Sequence, residues 1–347
     1  MYARAFIIFA MVVVASKVEA AATLRGLVLE NEKGGPPMAS VEVSAEDANP
    51  NNTGADGKFR FSFPERNPGD TVRLSFRKEG YVVVNDIQLD VTLPANPKEK
   101  LALFLLCKKG DREEMASRFY GLKLRAAADD TLRKKIEEAP NVSTAKLAKQ
   151  EGDQAKAAAE KGAEWLAKQQ PGGGSELYQT AMRLFLDGKV DQALVTLDDE
   201  KLRELSRAAK ERKPEAEKSI EEAIQNWLLR AQLLTVKFRF DDAEKAYQQA
   251  IDTSPESFKA NFAFARFNQE LNRYDKAMRA YAHCLELARL KENNGDIAGT
   301  LNNLAILDHN QNRPEAARKE YEEALKIRRE LGDKNPDTYL ADVAQTL

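Results

Sequence analysis

Pairs of alanines twelve residues apart recur four times in the second half of the chain, and no other feature restricts the fold as strongly. The first members are Ala181, Ala231, Ala265 and Ala305, and the second members are Ala193, Ala243, Ala277 and Ala317. Four residues beyond each second alanine stands a large side chain: Leu197, Tyr247, Tyr281 and Tyr321. Small side chains let two antiparallel helices approach closely, and the large side chain fills the space towards the next pair. The spacing therefore predicts helical hairpins over residues 176–347.

The position seven residues after each first alanine falls between the two predicted helices. It is occupied by Gly188, Phe238, Asn272 and Asn312. Gly and Asn suit the left-handed conformation that ends a helix, so three of the four turns follow one rule. Phe238 predicts a different turn in the second copy. The segment from Lys201 to Pro214 is an insert, which we expect to lengthen a helix.

This pattern resembles the tetratricopeptide repeat, whose period is 34 residues. The copies here are offset by 50, 34 and 40 residues, and the 40-residue step is similar to kinesin light chains and many bacterial repeat proteins. Residues 342–347 echo residues 296–301, which predicts the start of a fifth hairpin. Whether the chain is truncated at residue 347 stays open.

The resemblance implies a curved α-solenoid whose concave face holds an extended or helical peptide. The residues that match the peptide-binding positions of the family are Gln232, Lys259, Arg266, Gln269, Asn302, Asn303 and Asn310. Family members that bind a terminal carboxylate carry basic residues where this chain has Ile306 and Asn310. We therefore expect a general peptide groove rather than a clamp for a terminal carboxylate.

Residues 22–107 alternate between short apolar segments and turns rich in Gly, Pro and Asn. Phe59, Phe61 and Phe63 share one face of a strand, and Val72 to Phe76 repeats the alternation. This pattern predicts an antiparallel β-sandwich, with a long polar loop over residues 47–57. The segments GLVLENEKGGPPMASVEVSA, TGADGKFRF and PGDTVRLSFRKEGYVV resemble the carboxypeptidase regulatory-like domain, a transthyretin-type sandwich. That resemblance implies a module without chemistry of its own.

The remaining segments complete a multi-domain α+β chain. Residues 108–170 show helical spacing and predict a helical spacer, whose second helix we expect Ser143 and Thr144 to cap. Residues 171–175 read PGGGS and predict a flexible linker. Residues 1–20 have the order of a signal peptide: Arg4, an apolar run and a small residue at the end. The run is about 11 residues, whereas spanning a bilayer takes ~20, so a retained anchor is the weaker alternative.

Composition excludes several classes of function. Lys and Arg total 53 against 55 Asp and Glu, which argues against nucleic-acid binding. Two His and two Cys leave little for a metal or catalytic site, so we expect no enzyme activity, metal or cofactor. Export would permit a disulfide between Cys107 and Cys284, a question that stays open.

These observations together predict an exported, periplasmic or secreted scaffold that binds a protein or peptide partner. No integral membrane segment is expected after signal cleavage, and the oligomeric state is undetermined. One alternative is an accessory or truncated portion of a repeat-containing hydrolase system. Another is binding of envelope polysaccharide by the β-sandwich.

Overall fold

The computed structural model describes residues 22–96, 101–169, 174–211 and 216–334. In these residues, strands are followed by a helical repeat region, which confirms the predicted multi-domain α+β class. The chain divides into two compact units. The first comprises the chain up to Leu29, Pro36–Lys78 and Asp90–Phe104, and the second comprises Glu30–Gly35, Glu79–Leu89 and the chain from Leu105 onward. The predicted signal peptide, most of the predicted linker and the predicted fifth hairpin lie outside the described residues.

Eight strands in the described residues form two four-stranded sheets, with the orders β4-β1-β8-β6 and β3-β2-β5-β7. Their bounds are β1 (Ala22–Glu30), β2 (Glu42–Ala45), β3 (Ala48–Asn52), β4 (Lys58–Phe63), β5 (Thr71–Arg77), β6 (Tyr81–Val83), β7 (Asp90–Thr92) and β8 (Ala102–Lys108). The pairs β1–β4, β2–β3, β2–β5, β5–β7 and β6–β8 are antiparallel. Alternating burial along β4 and β5 follows the alternation in the sequence.

Aromatic rings fill the core of the first unit. Phe59 of β4 lies 6.0 Å from Phe76 of β5, and Phe76 lies 4.5 Å from Phe104 of β8, between ring centroids. Gly26 of β1 is opposite Phe59 in the register, and a Cβ added at Gly26 would lie 2.1 Å from Cζ of that ring. The missing side chain at Gly26 therefore makes room for the ring that joins the two sheets.

The prediction of a long polar loop over residues 47–57 is wrong, because this segment contains strand β3. β3 lies at the edge of its sheet, so its backbone pairs with β2, while Asn49 and Asn52 are exposed and half-buried Asn51 donates to the Arg60 carbonyl. Just after it, buried Thr53 donates its hydroxyl to the Met38 carbonyl (2.6 Å) and accepts from the Val41 amide (3.0 Å). Edge pairing thus allows a strand without apolar alternation.

Eleven α-helices follow in the described residues. Their bounds are α1 (Arg112–Glu137), α2 (Val142–Lys168), α3 (Glu176–Leu186), α4 (Val190–Thr196), α5 (Asp199–Glu211), α6 (Ala216–Val236), α7 (Phe240–Thr253), α8 (Phe258–Glu270), α9 (Tyr274–Leu290), α10 (Asn294–Asn310) and α11 (Pro314–Lys334). Asn141, rather than Ser143 or Thr144, caps α2 by accepting the Thr144 amide at 2.9 Å. All eight paired alanines are buried where α3/α4, α6/α7, α8/α9 and α10/α11 pack as hairpins. Of the described helices, none is long and apolar enough to span a membrane.

All four hairpin turns have the same backbone, which corrects the expectation for Phe238. Gly188, Phe238, Asn272 and Asn312 have φ of 78°, 57°, 57° and 59°. The Arg239 amide donates to the Leu234 carbonyl at 2.9 Å, and Arg273 donates to Asn268 in the same way at 2.8 Å. A left-handed non-glycine residue costs about 1–2 kcal/mol. The Phe238 ring is buried and stacks on Phe240, and burying such a ring contributes about 1.5–3 kcal/mol, which offsets the strain.

The insert between the first and second hairpins is a separate helix rather than a lengthened one. α4 ends at Thr196 and α5 begins at Asp199. Ser206 of α5 accepts a hydrogen bond from the Trp227 indole of α6 at 2.8 Å, and the Thr253 hydroxyl of α7 lies 3.1 Å from the same oxygen. The buried Trp227 therefore ties the inserted helix to the second hairpin.

The two cysteines are free thiols in separate buried positions. Burial raises the pKa of Cys107 to about 11 and that of Cys284 to about 12. Both side chains therefore stay protonated at neutral pH and pack as small apolar groups.

Stability should depend on pH through Glu320 of α11. Burial, and to a lesser extent the charge of Asp308, raise its pKa to about 7 from an ordinary value of 4.5. Folding therefore favours the protonated form, and its contribution, full below about pH 4.5, is lost as the pH rises through 7. The free energy of unfolding should therefore fall between pH 5 and pH 8, and we expect this fall to be about 1 kcal/mol smaller in Glu320→Gln. The difference is small because solvent screens the charge of a half-buried group. Urea titrations of both proteins at the two pH values measure this, and equal losses would contradict it.

Candidate functional site

Six of the seven predicted peptide-binding residues line one cavity of about 420 Å³. Helix α6 contributes one, α8 contributes three and α10 contributes two: Gln232, Lys259, Arg266, Gln269, Asn302 and Asn303. The seventh, Asn310, is exposed at the end of α10 and does not line the cavity. The repeat pattern thus brings together residues up to 71 positions apart (232 to 303) on the inner side of three helices. We call these six residues the groove residues.

The opposite wall of the cavity is helix α2 of the same chain. The residues on this side that line the cavity include Ala158, Gly162 and Trp165, together with Glu164 and Gln169 near the end of the helix. α2 also packs along α1, where a Cβ added at Gly121 would lie 3.5 Å from Cβ of Ala163. The segment predicted as a spacer therefore contributes a helix that contacts α6 and α8.

Polar contacts join α2 to the basic groove residues. The guanidinium of Arg266 lies 2.6 Å from a carboxylate oxygen of Glu164. The ammonium of Lys259 donates to Gln169 and to Glu221 of α6, and it lies 5.5 Å from the centroid of the Trp165 ring. Burial acts to raise the pKa of Glu164, but Arg266 and Lys161 hold it below its ordinary value overall. Both cations that the sequence assigned to a ligand are therefore paired within the chain.

Three buried polar atoms that line the same cavity have no hydrogen-bond partner within the described residues. They are Oε1 of Gln232, Oδ1 of Asn302 and Nε1 of Trp165. Gln232 and Asn302 are each 6% exposed. Burial also raises the pKa of Glu270, another residue of the cavity wall. An unpaired buried polar atom costs about 1–3 kcal/mol, so this cavity is suited to a ligand that forms hydrogen bonds.

The side-chain amides of the other two groove residues of this type, Gln269 and Asn303, form hydrogen bonds within the chain. The Tyr281 hydroxyl donates to Oε1 of Gln269 at 2.8 Å, and Asn303 donates to the Gly299 carbonyl at 2.8 Å. Within the described ranges, no group of three His, Cys, Asp or Glu side chains is placed to hold a metal ion. The groove is therefore arranged for hydrogen bonding and ion pairing.

Sequence reasoning missed Glu164, Trp165 and Gln169, because they lie outside the repeats. Arg266 and Glu164 are 102 residues apart, and no periodic pattern links them. The one sequence signal was the run of small residues Ala155, Ala158, Ala159 and Gly162, which predicts close packing of a helix but not its partner.

Stacked helical hairpins with polar residues on their inner side define a helical repeat protein, and one part of the repeat region matches a known family. Residues 256–330, from just before α8 into α11, match the tetratricopeptide repeat family. No curated protein matches the sequence. Among solved structures, the crystal structure of BtubC (BKLC) from P. vanneervenii is similar with a TM-score of 0.39 and 20% identity, over 65% of this chain and 80% of that one.

Proposed function

We propose that this protein is an exported, non-catalytic scaffold that binds a polypeptide partner at the groove residues. Tetratricopeptide repeats generally mediate protein–protein interaction, and residues 256–330 match that family. The observation that carries the proposal is that six of the seven residues predicted from the sequence line one cavity. The proposal of export is based on the signal-peptide pattern of residues 1–20. The β-sheet unit is proposed as a carboxypeptidase regulatory-like accessory domain.

The chemistry of the cavity fits a polypeptide. The amide oxygens of Gln232 and Asn302 can accept hydrogen bonds from N–H or O–H groups of a polypeptide, and the indole of Trp165 can donate one to an oxygen atom. Arg266 and Lys259 suit acidic side chains of the partner. Aromatic residues of α8, Phe258 and Phe262, add apolar surface beside them.

A random peptide library displayed on phage and selected on the full chain tests this proposal. We expect selected peptides to lose at least about tenfold in affinity for the double variant Gln232→Ala/Asn302→Ala, because two hydrogen bonds of about 1 kcal/mol each are removed. Neither amide oxygen has a hydrogen-bond partner in the part of the chain that the structure describes, so the variant should keep its fold, which circular dichroism checks. Asn310→Ala is the matched control, since this exposed residue lies outside the cavity. Selection of no peptide, or equal affinity for both variants, would contradict the proposal.

A further inference from the structure

We infer that α2 is a built-in occupant of the groove, and that the partner is a helix that takes its place. This inference rests on the proposed function and specifies its partner. The partner helix carries a small residue where Gly162 lies and, two positions later, an acidic residue that pairs with Arg266.

The basic groove residues already form polar contacts with a helix of the same chain. Glu164 pairs with Arg266 at 2.6 Å, and Gln169 at the end of α2 accepts from Lys259. Both contacts join segments that are at least 90 residues apart in sequence. Arg266 thus binds a carboxylate that projects from the surface of a helix, and Lys259 binds the residue that directly follows that helix.

The shape of the groove restricts which helix fits. A Cβ added at Gly162 would lie 3.4 Å from Cδ of Gln232 and 3.5 Å from a methyl group of Leu124, at the limit of ordinary contact. A Gly or Ala is accommodated there, whereas a longer side chain would push the helix away from α6. Ala158 and Ala159 on the same side of α2 also line the cavity. A helix with small residues on this face is therefore the matching partner.

The fit of α2 is incomplete, which leaves room for a competitor. The contact borders a cavity of about 420 Å³, in which Gln232 Oε1, Asn302 Oδ1 and Trp165 Nε1 have no hydrogen-bond partner among the described residues. Cavities and unpaired buried polar atoms weaken an interface. A partner helix that places polar side chains against Gln232 and Asn302 would bind the groove better than α2 does, and would displace it.

The test uses a fluorescent synthetic peptide with the sequence of residues 142–169, titrated into the full chain and followed by anisotropy. Two released variants weaken the contact between α2 and the groove of its own chain. Gly162→Leu does so by the bulk of the added side chain, and Glu164→Ala/Trp165→Ala does so by loss of contacts. We expect both to bind the peptide at least tenfold more tightly than the wild type does, because the groove no longer holds its own helix. Leu147→Ala is the matched control, since Leu147 is exposed on α2 and does not line the cavity.

A charge swap identifies the site of binding. Adding Arg266→Glu to the Glu164→Ala/Trp165→Ala chain should abolish the gain, and a peptide with Glu164→Arg should restore it. Equal affinity for the wild type and both released variants, or no effect of Arg266→Glu, would overturn the inference. If displayed peptides bind but the α2 peptide does not, the inference fails while the proposed function stands. If the α2 peptide binds as expected but no displayed peptide is selected, the proposed function fails and the intramolecular contact remains.

Discussion

Replacing Trp227 with alanine should lower the free energy of unfolding by about 3–5 kcal/mol, the usual cost of removing a large buried aromatic side chain. Trp227 is fully buried in α6, and its indole donates to Ser206 of the inserted helix α5. The substitution would remove the packing of α6 and the bond that joins α5 to it. Ser206 would also lose a donor, although Thr253 remains within reach at 3.1 Å.

Urea denaturation followed by far-UV circular dichroism measures this effect. Ser206→Ala is the matched comparison, because it removes the hydrogen bond but keeps the ring, and we expect it to cost only about 1 kcal/mol. The difference between the two variants reports the contribution of ring packing. A loss of less than about 1 kcal/mol in Trp227→Ala would show that α5 is not anchored through this residue.

Gly26→Ala should destabilise the first unit by about 1–3 kcal/mol, the usual cost of overpacking a filled core. The added Cβ would lie 2.1 Å from the Phe59 ring, so the ring must move. Phe59 is in turn packed against Phe61, Phe76 and Phe104, with centroid distances of 5.7–6.2 Å. None of these rings is exposed, so the Phe59 ring cannot relieve the strain by moving a neighbouring side chain into solvent.

A double-mutant cycle tests the cause of this loss. Phe59→Leu shortens the side chain that meets Gly26, so the double variant Gly26→Ala/Phe59→Leu should be more stable than the sum of the single effects by about 1 kcal/mol. Differential scanning calorimetry of the full chain measures each variant. Ser62→Ala, on the exposed side of the same strand, is the control. Additive effects would show that the Phe59 ring is not the group that excludes a side chain at Gly26.

The sequence predicts those parts of the fold that follow a local period. Paired alanines at a constant spacing predict the hairpins, and the alternation around Phe61 predicts a strand. Features that depend on side-chain packing or strand pairing rather than on a period were not predictable. Phe238 keeps a glycine-like turn because its ring is buried against Phe240, and β3 forms because β2 offers it a backbone edge.

The candidate site was likewise predictable from the sequence only in part. The resemblance to the tetratricopeptide repeat predicted seven residues of α6, α8 and α10, and the structure places all of them except Asn310 around one cavity. The wall formed by α2 could not be predicted, because a contact between Glu164 and Arg266 across 102 residues has no signature in either segment alone. Their roles in binding a ligand stay a prediction.

The position of α2 has a consequence for dissecting the chain into fragments. A fragment that begins at residue 176, where the repeats begin, would lack the carboxylate of Glu164 and the amide of Gln169. Arg266 would lose its ion-pair partner, and the aromatic face of Trp165 would no longer cover Lys259. Such a fragment would present a more basic, more hydrated surface than the intact chain does, so affinities measured with it would overstate binding to the native protein.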